Sequence, residues 1–163
     1  MIVVGLNHGE LNSSAAICQD GRIIAGAPEE RFNRKKLTRL FPYEALRYCL
    51  EHAGIQLKNV NCVAQAWNPG ALWAKYNPTI STHRTSREDY LYSIPDHLLN
   101  FSGREPGNWV CMQFPENSSI PPVYFVNHHL AHAANAFFLS PFEEAAILTA
   151  DWRGEFECMN AGV

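Results

Sequence analysis

Ile2-Val3-Val4-Gly5-Leu6, Ala15-Ala16-Ile17-Cys18 and Arg22-Ile23-Ile24-Ala25-Gly26-Ala27 are three short apolar runs within the first 27 residues of the chain. The polar stretch Asn7 to Ser14 separates the first two, and Asp20-Gly21, a two-residue hairpin signal, separates the last two. This pattern predicts a three-stranded antiparallel meander. Downstream, Leu46, Cys49, Leu50 and Ala53 recur at i, i+3, i+4 and i+7, with Pro42 in the first turn and Gly54 placed to stop the helix. Asn61 to Trp67 reads as a fourth strand, Asn68 to about Arg87 as a loop, and Ser86 to Phe101 as a helix interrupted at Ile94-Pro95. Val123 to Val126 follows as a fifth strand and His129 to Leu139 as a helix. Ala145 to Asp151 and Phe156 to Gly162 then begin a new hairpin. Strands first in a meander and then alternating with helices define an α/β chain with a mixed sheet. We expect a complete first lobe over residues 1–143 and the start of a second over 144–163.

With 163 residues, 47% hydrophobic and 18% charged, the chain is long enough to bury roughly 70% of its unfolded surface in one core. A net charge of -3 offers no global field for phosphate backbones, which argues against a nucleic-acid partner. No apolar run reaches the length of a membrane span, and the N-terminus lacks a basic segment ahead of an extended apolar one, so a cytoplasmic location is expected. Five cysteines without a Cys-x-x-Cys indicate neither a disulfide scaffold nor a cysteine-rich zinc module.

Three stretches can carry chemistry. Asn127-His128-His129-Leu130-Ala131-His132 lies where a strand runs into a helix. His128 and His132 are four apart and share a helix face, so two imidazoles can converge on one metal ion, whereas His129 points about 100° away. A zincin protease needs Glu at position 129, and histidine stands there. In the second stretch, Arg31, Arg34, Lys35, Lys36 and Arg39 place five of the 13 Lys and Arg residues within nine positions. A solvated charged face is the simpler reading; its place after a strand end makes phosphate or carboxylate binding the competitor. The third is a pair of strand-to-strand turns, Asn7 to Ser14 and Asp151-Trp152-Arg153-Gly154-Glu155, whose glycine, acidic and small polar groups suit a phosphate-gripping loop.

Taken in order, several blocks resemble the ATP-dependent O-carbamoyltransferases, a family that includes nodulation-factor and antibiotic-tailoring enzymes. They are Val4-Gly5-Leu6-Asn7, Asn12-Ser13-Ser14-Ala15-Ala16, Asp20 to Ala25, Glu29 to Arg34 with Lys36, Phe41-Pro42, His128 to Ala134, and Ala136-Phe137-Phe138 with Ser140-Pro141-Phe142. The resemblance implies a ribonuclease H-like lobe of the actin-like ATPase superfamily, followed by a truncated second lobe. It further implies that a carbamoyl group passes from carbamoyl-adenylate, made from ATP and carbamoyl phosphate, to the hydroxyl of a small-molecule acceptor. His128 and His132 then resemble ligands of a divalent transition metal, iron-type or zinc. Lys36 and Glu10 are the catalytic candidates. Asn12, Ser13, Arg31, Arg34, Asp151, Gly154 and Glu155 resemble substrate- and nucleotide-binding positions, with Trp152 where the family's loop carries its first glycine.

Two imidazoles make an incomplete site, and the missing carboxylate is expected beyond residue 163. The isolated chain should therefore bind metal and ATP weakly and catalyse nothing, unless a homo-oligomer completes the lobe. A sugar-kinase-like phosphotransferase lobe, or a non-catalytic fragment that assembles with a partner, is the alternative reading.

Overall fold

The structure is a computed structural model and describes residues 1–9, 11–68, 94, 97–101 and 120–163. Chain contacts divide it into two compact units, Met1–Gln65 with Ser86–Tyr124, and Ala66–Thr85 with Phe125–Val163. This grouping differs from a division at residue 144 in placing the helix after Asn127 with the final hairpin. That helix packs on the hairpin's first strand.

The first unit is built on the predicted meander. β1 (Ile2–Asn7), β2 (Ser14–Gln19) and β3 (Arg22–Pro28) are antiparallel, and β4 (Cys62–Gln65) joins β1 in parallel. With β5 (Val123–Phe125) the sheet order is β3-β2-β1-β4-β5. The fold is thus the expected mixed α/β arrangement, a meander followed by a crossover to a parallel strand. Gln19 pairs with Arg22, so Asp20 and Gly21 alone make the turn; both have positive φ, 49° and 79°, as a type I′ hairpin requires. Val4, Ile17 and Val63 lie side by side in the register and are fully buried. Each such side chain contributes about 1.5–3 kcal/mol on burial.

α1 (Glu30–Asn33) is a single short turn, and α2 (Tyr43–Ala53) covers β2 and β3 with Ala45, Leu46, Cys49 and Leu50 inward. Gly54, at φ 66°, donates its N–H to Glu51 while Ile55 N–H reaches back to the Leu50 carbonyl, which is the hydrogen-bond pattern of a Schellman stop. The first turn of α2 is held from a distance. Buried Glu29 accepts the Ala45 N–H at 2.8 Å, taking up a donor that a helix start leaves unpaired.

In the second unit α3 (His128–Phe138) packs on β6 (Ile147–Ala150), which pairs antiparallel with β7 (Met159–Gly162). Residues 94 and 97–101 are helical; the rest of the helix read from Ser86 to Phe101, its interruption at Pro95 included, lies outside the described residues. Apart from Asn68, the expected loop to Arg87 lies outside the described residues. Among the described residues Cys18, Cys49, Cys62 and Cys158 are free, and no helix is long and apolar enough to cross a membrane.

Candidate metal centre

Two side chains fix where α3 begins. Asn127, its N-cap, accepts the Leu130 N–H at 3.0 Å. Buried Glu155 accepts the His128 N–H at 2.9 and 3.1 Å through its two oxygens and the Asn68 N–H at 2.7 Å, so a carboxylate sits against the positive end of the helix. One turn separates His128 from His132, and their Nε2 atoms stand 3.1 Å apart.

β6 ends at Ala150 and delivers Asp151 to the same place. Its Oδ2 is 2.8 Å from His128 Nε2 and 3.2 Å from His132 Nε2, and the donor atoms of all three residues lie within 4.8 Å of one another. Hydrogen bonding from His128, then from the Trp152 N–H, and to a lesser degree from His132, holds the Asp151 carboxyl down to about 2. It is ionised throughout the neutral range. Two ligands each about 2.0–2.2 Å from one ion and 90–110° apart would be separated by about 2.8–3.6 Å, which brackets the spacings here. Two imidazole nitrogens and a carboxylate oxygen are a donor set suited to zinc or an iron-type ion, with coordination positions left open. The residues present therefore fit the expected metal. Asp151, which the resemblance assigns to nucleotide binding, brings a carboxylate to the two imidazoles within the chain.

His129 faces the other way, as the helical geometry predicts. It is fully buried, with Nδ1 at 2.7 Å from the Thr149 hydroxyl and Nε2 at 3.0 Å from the Glu157 carbonyl. A carbonyl only accepts, so Nε2 carries the proton and Nδ1 accepts from Thr149. The imidazole ties α3 to the hairpin, and Gly154 makes room for it: a Cβ there would meet His129 Cδ2 at 2.5 Å and the Glu157 carbonyl oxygen at 2.7 Å. Gly154→Ala should cost about 1–3 kcal/mol by overpacking, read as a lowered midpoint in urea; an unchanged midpoint would show that the hairpin yields freely.

Glu155 is likewise a positioning residue for the helix that carries the histidines. Glu155→Gln keeps the shape and removes the charge facing the N-terminus, and should lower stability by about 1–2 kcal/mol. Denaturation of both forms at pH 7 checks this.

The remaining candidates belong to the first unit. Lys36 Nζ donates to Glu30 at 2.9 Å, and Glu30 also accepts the Leu37 N–H at 3.3 Å. This pairing pulls the Glu30 carboxyl below its usual range. Arg31 and Arg34 are exposed, Arg34 in a left-handed conformation at φ 59°. Asn12 is exposed at φ 52°; its carbonyl accepts from Asn7 Nδ2 at 3.1 Å. Ser13 is enclosed, and both its N–H and hydroxyl donate to the Thr38 carbonyl. Glu10 lies outside the described residues.

Sequence reasoning found the histidine pair and passed over Asp151 as its partner, Glu155 as the helix clamp and His129 as a buried strut. A strand that ends in an acid was the one available signal, and it does not say which helix face it will meet.

Residues 3–160 match the Carbamoyltransferase N-terminus family. The chain belongs to that family. It is 33% identical to an uncharacterized protein of Synechocystis sp. over 94% of this chain and 26% of that protein. It is also 35% identical to nodulation protein NolNO of Sinorhizobium fredii, over 89% of this chain and 20% of NolNO. The chain thus spans a quarter or less of the second relative's length and about a quarter of the first's. Among solved structures, YeaZ from Pseudomonas aeruginosa aligns with 39% of this chain and 28% of its own, at 22% identity and a TM-score of 0.31.

Proposed function

We propose that the chain is the N-terminal, metal-binding part of a cytoplasmic enzyme that moves a carbamoyl group from carbamoyl-adenylate, formed from ATP and carbamoyl phosphate, to the hydroxyl of a small molecule. The observation that carries this reading is the convergence of His128, His132 and Asp151 within a chain of the carbamoyltransferase family. In the transfer, the acceptor oxygen bonds to the carbamoyl carbon as its hydroxyl proton passes to solvent, the bond from that carbon to the adenylate oxygen breaks, and AMP departs with that bond's electron pair. A divalent ion held by the three side chains supplies a Lewis acid. Asn127 and Glu155 fix the helix start from which His128 projects, and Asp151 stays charged opposite both imidazoles. Arg31, Arg34 and Lys36 form the cationic strip that offsets phosphate charge.

The test uses the full-length polypeptide with ATP, carbamoyl phosphate and a panel of hydroxylated acceptors. AMP and a carbamoylated product are expected; ADP with a phosphorylated acceptor would replace this reading by the kinase alternative. Lys36→Ala should weaken donor affinity about 10-fold or more and Arg22→Ala little, since removing a charged contact to phosphate costs a few kcal/mol at most. Equal effects would return the strip to a solvated face.

A further inference from the structure

Gln65 is the last residue of β4 and lies on the buried face of the sheet. In the strand register it stands beside Leu6 of β1, which has Ala15 of β2 on its other side. The side chain is completely enclosed, yet among the described residues neither Nε2 nor Oε1 has a hydrogen-bond partner. A primary amide withdrawn from water with both ends unpaired is among the least favourable groups a core can hold, and Leu or Met would fill the same volume without that cost. Its position is the carboxyl end of two parallel strands, where ligands of α/β sheets bind. His8, two residues past Leu6, is buried at the same end of β1.

We propose that Gln65 recognises the carbamoyl group itself, through a cyclic amide-to-amide pair in which Oε1 accepts from the carbamoyl NH2 and Nε2 donates to the carbamoyl oxygen. The inference rests on the carbamoyl-transfer reading above. One ligand edge must offer a donor beside an acceptor to satisfy both atoms. A carbamoyl group has that edge, whereas an acetyl group of the same shape places a methyl where the donor is needed.

The test follows the side-chain NH2 resonances of Gln65 in the 15N-labelled protein, identified by their loss in Gln65→Leu. The protein is titrated with carbamoyl phosphate and, separately, with acetyl phosphate. The Gln65 pair should move with the first and not the second, and carbamoyl phosphate should bind at least about 10-fold tighter, because a polar site rejects an analogue that lacks its partner group. In Gln65→Leu the preference should shrink to within about 2-fold while the melting temperature holds or rises. Gln65→Met repeats the comparison if the leucine variant does not fold. A preference that survives in these variants, or carbamoyl phosphate moving other resonances and not those of Gln65, overturns the inference, assigns the amide to a buried water and leaves the carbamoyl reading standing. No response of any resonance to carbamoyl phosphate overturns the inference, while the transfer reading stands or falls on the product assay of the full-length polypeptide.

Discussion

Asp151→Asn, His128→Ala and His132→Ala each reduce bound divalent metal from one ion per chain to near zero in elemental analysis, with affinity lowered at least about 100-fold. Changes to groups that only support metal ligands already cost about 10–100-fold, so removal of a ligand sets a higher floor. The three donors are mutually within 4.8 Å and no described residue joins them as a fourth, so losing one leaves two. His129→Ala separates position from ligation. His129 points into the hairpin, bonded to Thr149 and Glu157, so its loss lowers stability while most of the metal stays. Equal loss of metal at 128, 129 and 132 would sink the assignment. Bound metal in the chain of 163 residues is also expected, in place of the weak binding that two imidazoles alone implied.

Acidification weakens the first unit through His8. Its imidazole is buried against Phe41 and faces His97 at 6.2 Å between ring centroids. Burial first, and the like charge of His97 second, lower its pKa from 6.5 to about 4. A histidine whose folded pKa is depressed favours the neutral form on folding, so its contribution is fully present above about pH 6.5 and declines as pH falls toward 4. At about 1.4 kcal/mol per pH unit the loss is about 3 kcal/mol over that window. Urea denaturation at pH 7 and pH 4.5 should show this extra loss in the native protein and much less of it in His8→Phe. Parallel pH dependence of the two would remove His8 as the cause.

Much of this was legible locally. Asp20-Gly21 specified its turn because two adjacent positive φ angles suit Asp and Gly and few other pairs. Leu46, Cys49 and Leu50 specified the inner face of α2 by their spacing. The separation of His128 and His132 placed two imidazoles on one face whatever surrounded the helix, and the same geometry sent His129 elsewhere. The role of Glu29 was not legible, since it lies in a run of charges that looks solvated and yet reaches across to cap α2.

The sequence by itself determined the strand and helix order, the sharp turns and the histidine pair, because each depends on dihedral preferences or on a period within a few residues. Only the tertiary structure decided that Asp151 meets both imidazoles, that Glu155 is spent on the helix start, that Gly154 is small for the sake of His129 and that Gln65 is enclosed with no hydrogen-bond partner among the described residues. Those facts depend on where β6 ends against α3 and on how β4 is covered, distances between residues about 20 to 60 apart along the chain that no local preference encodes.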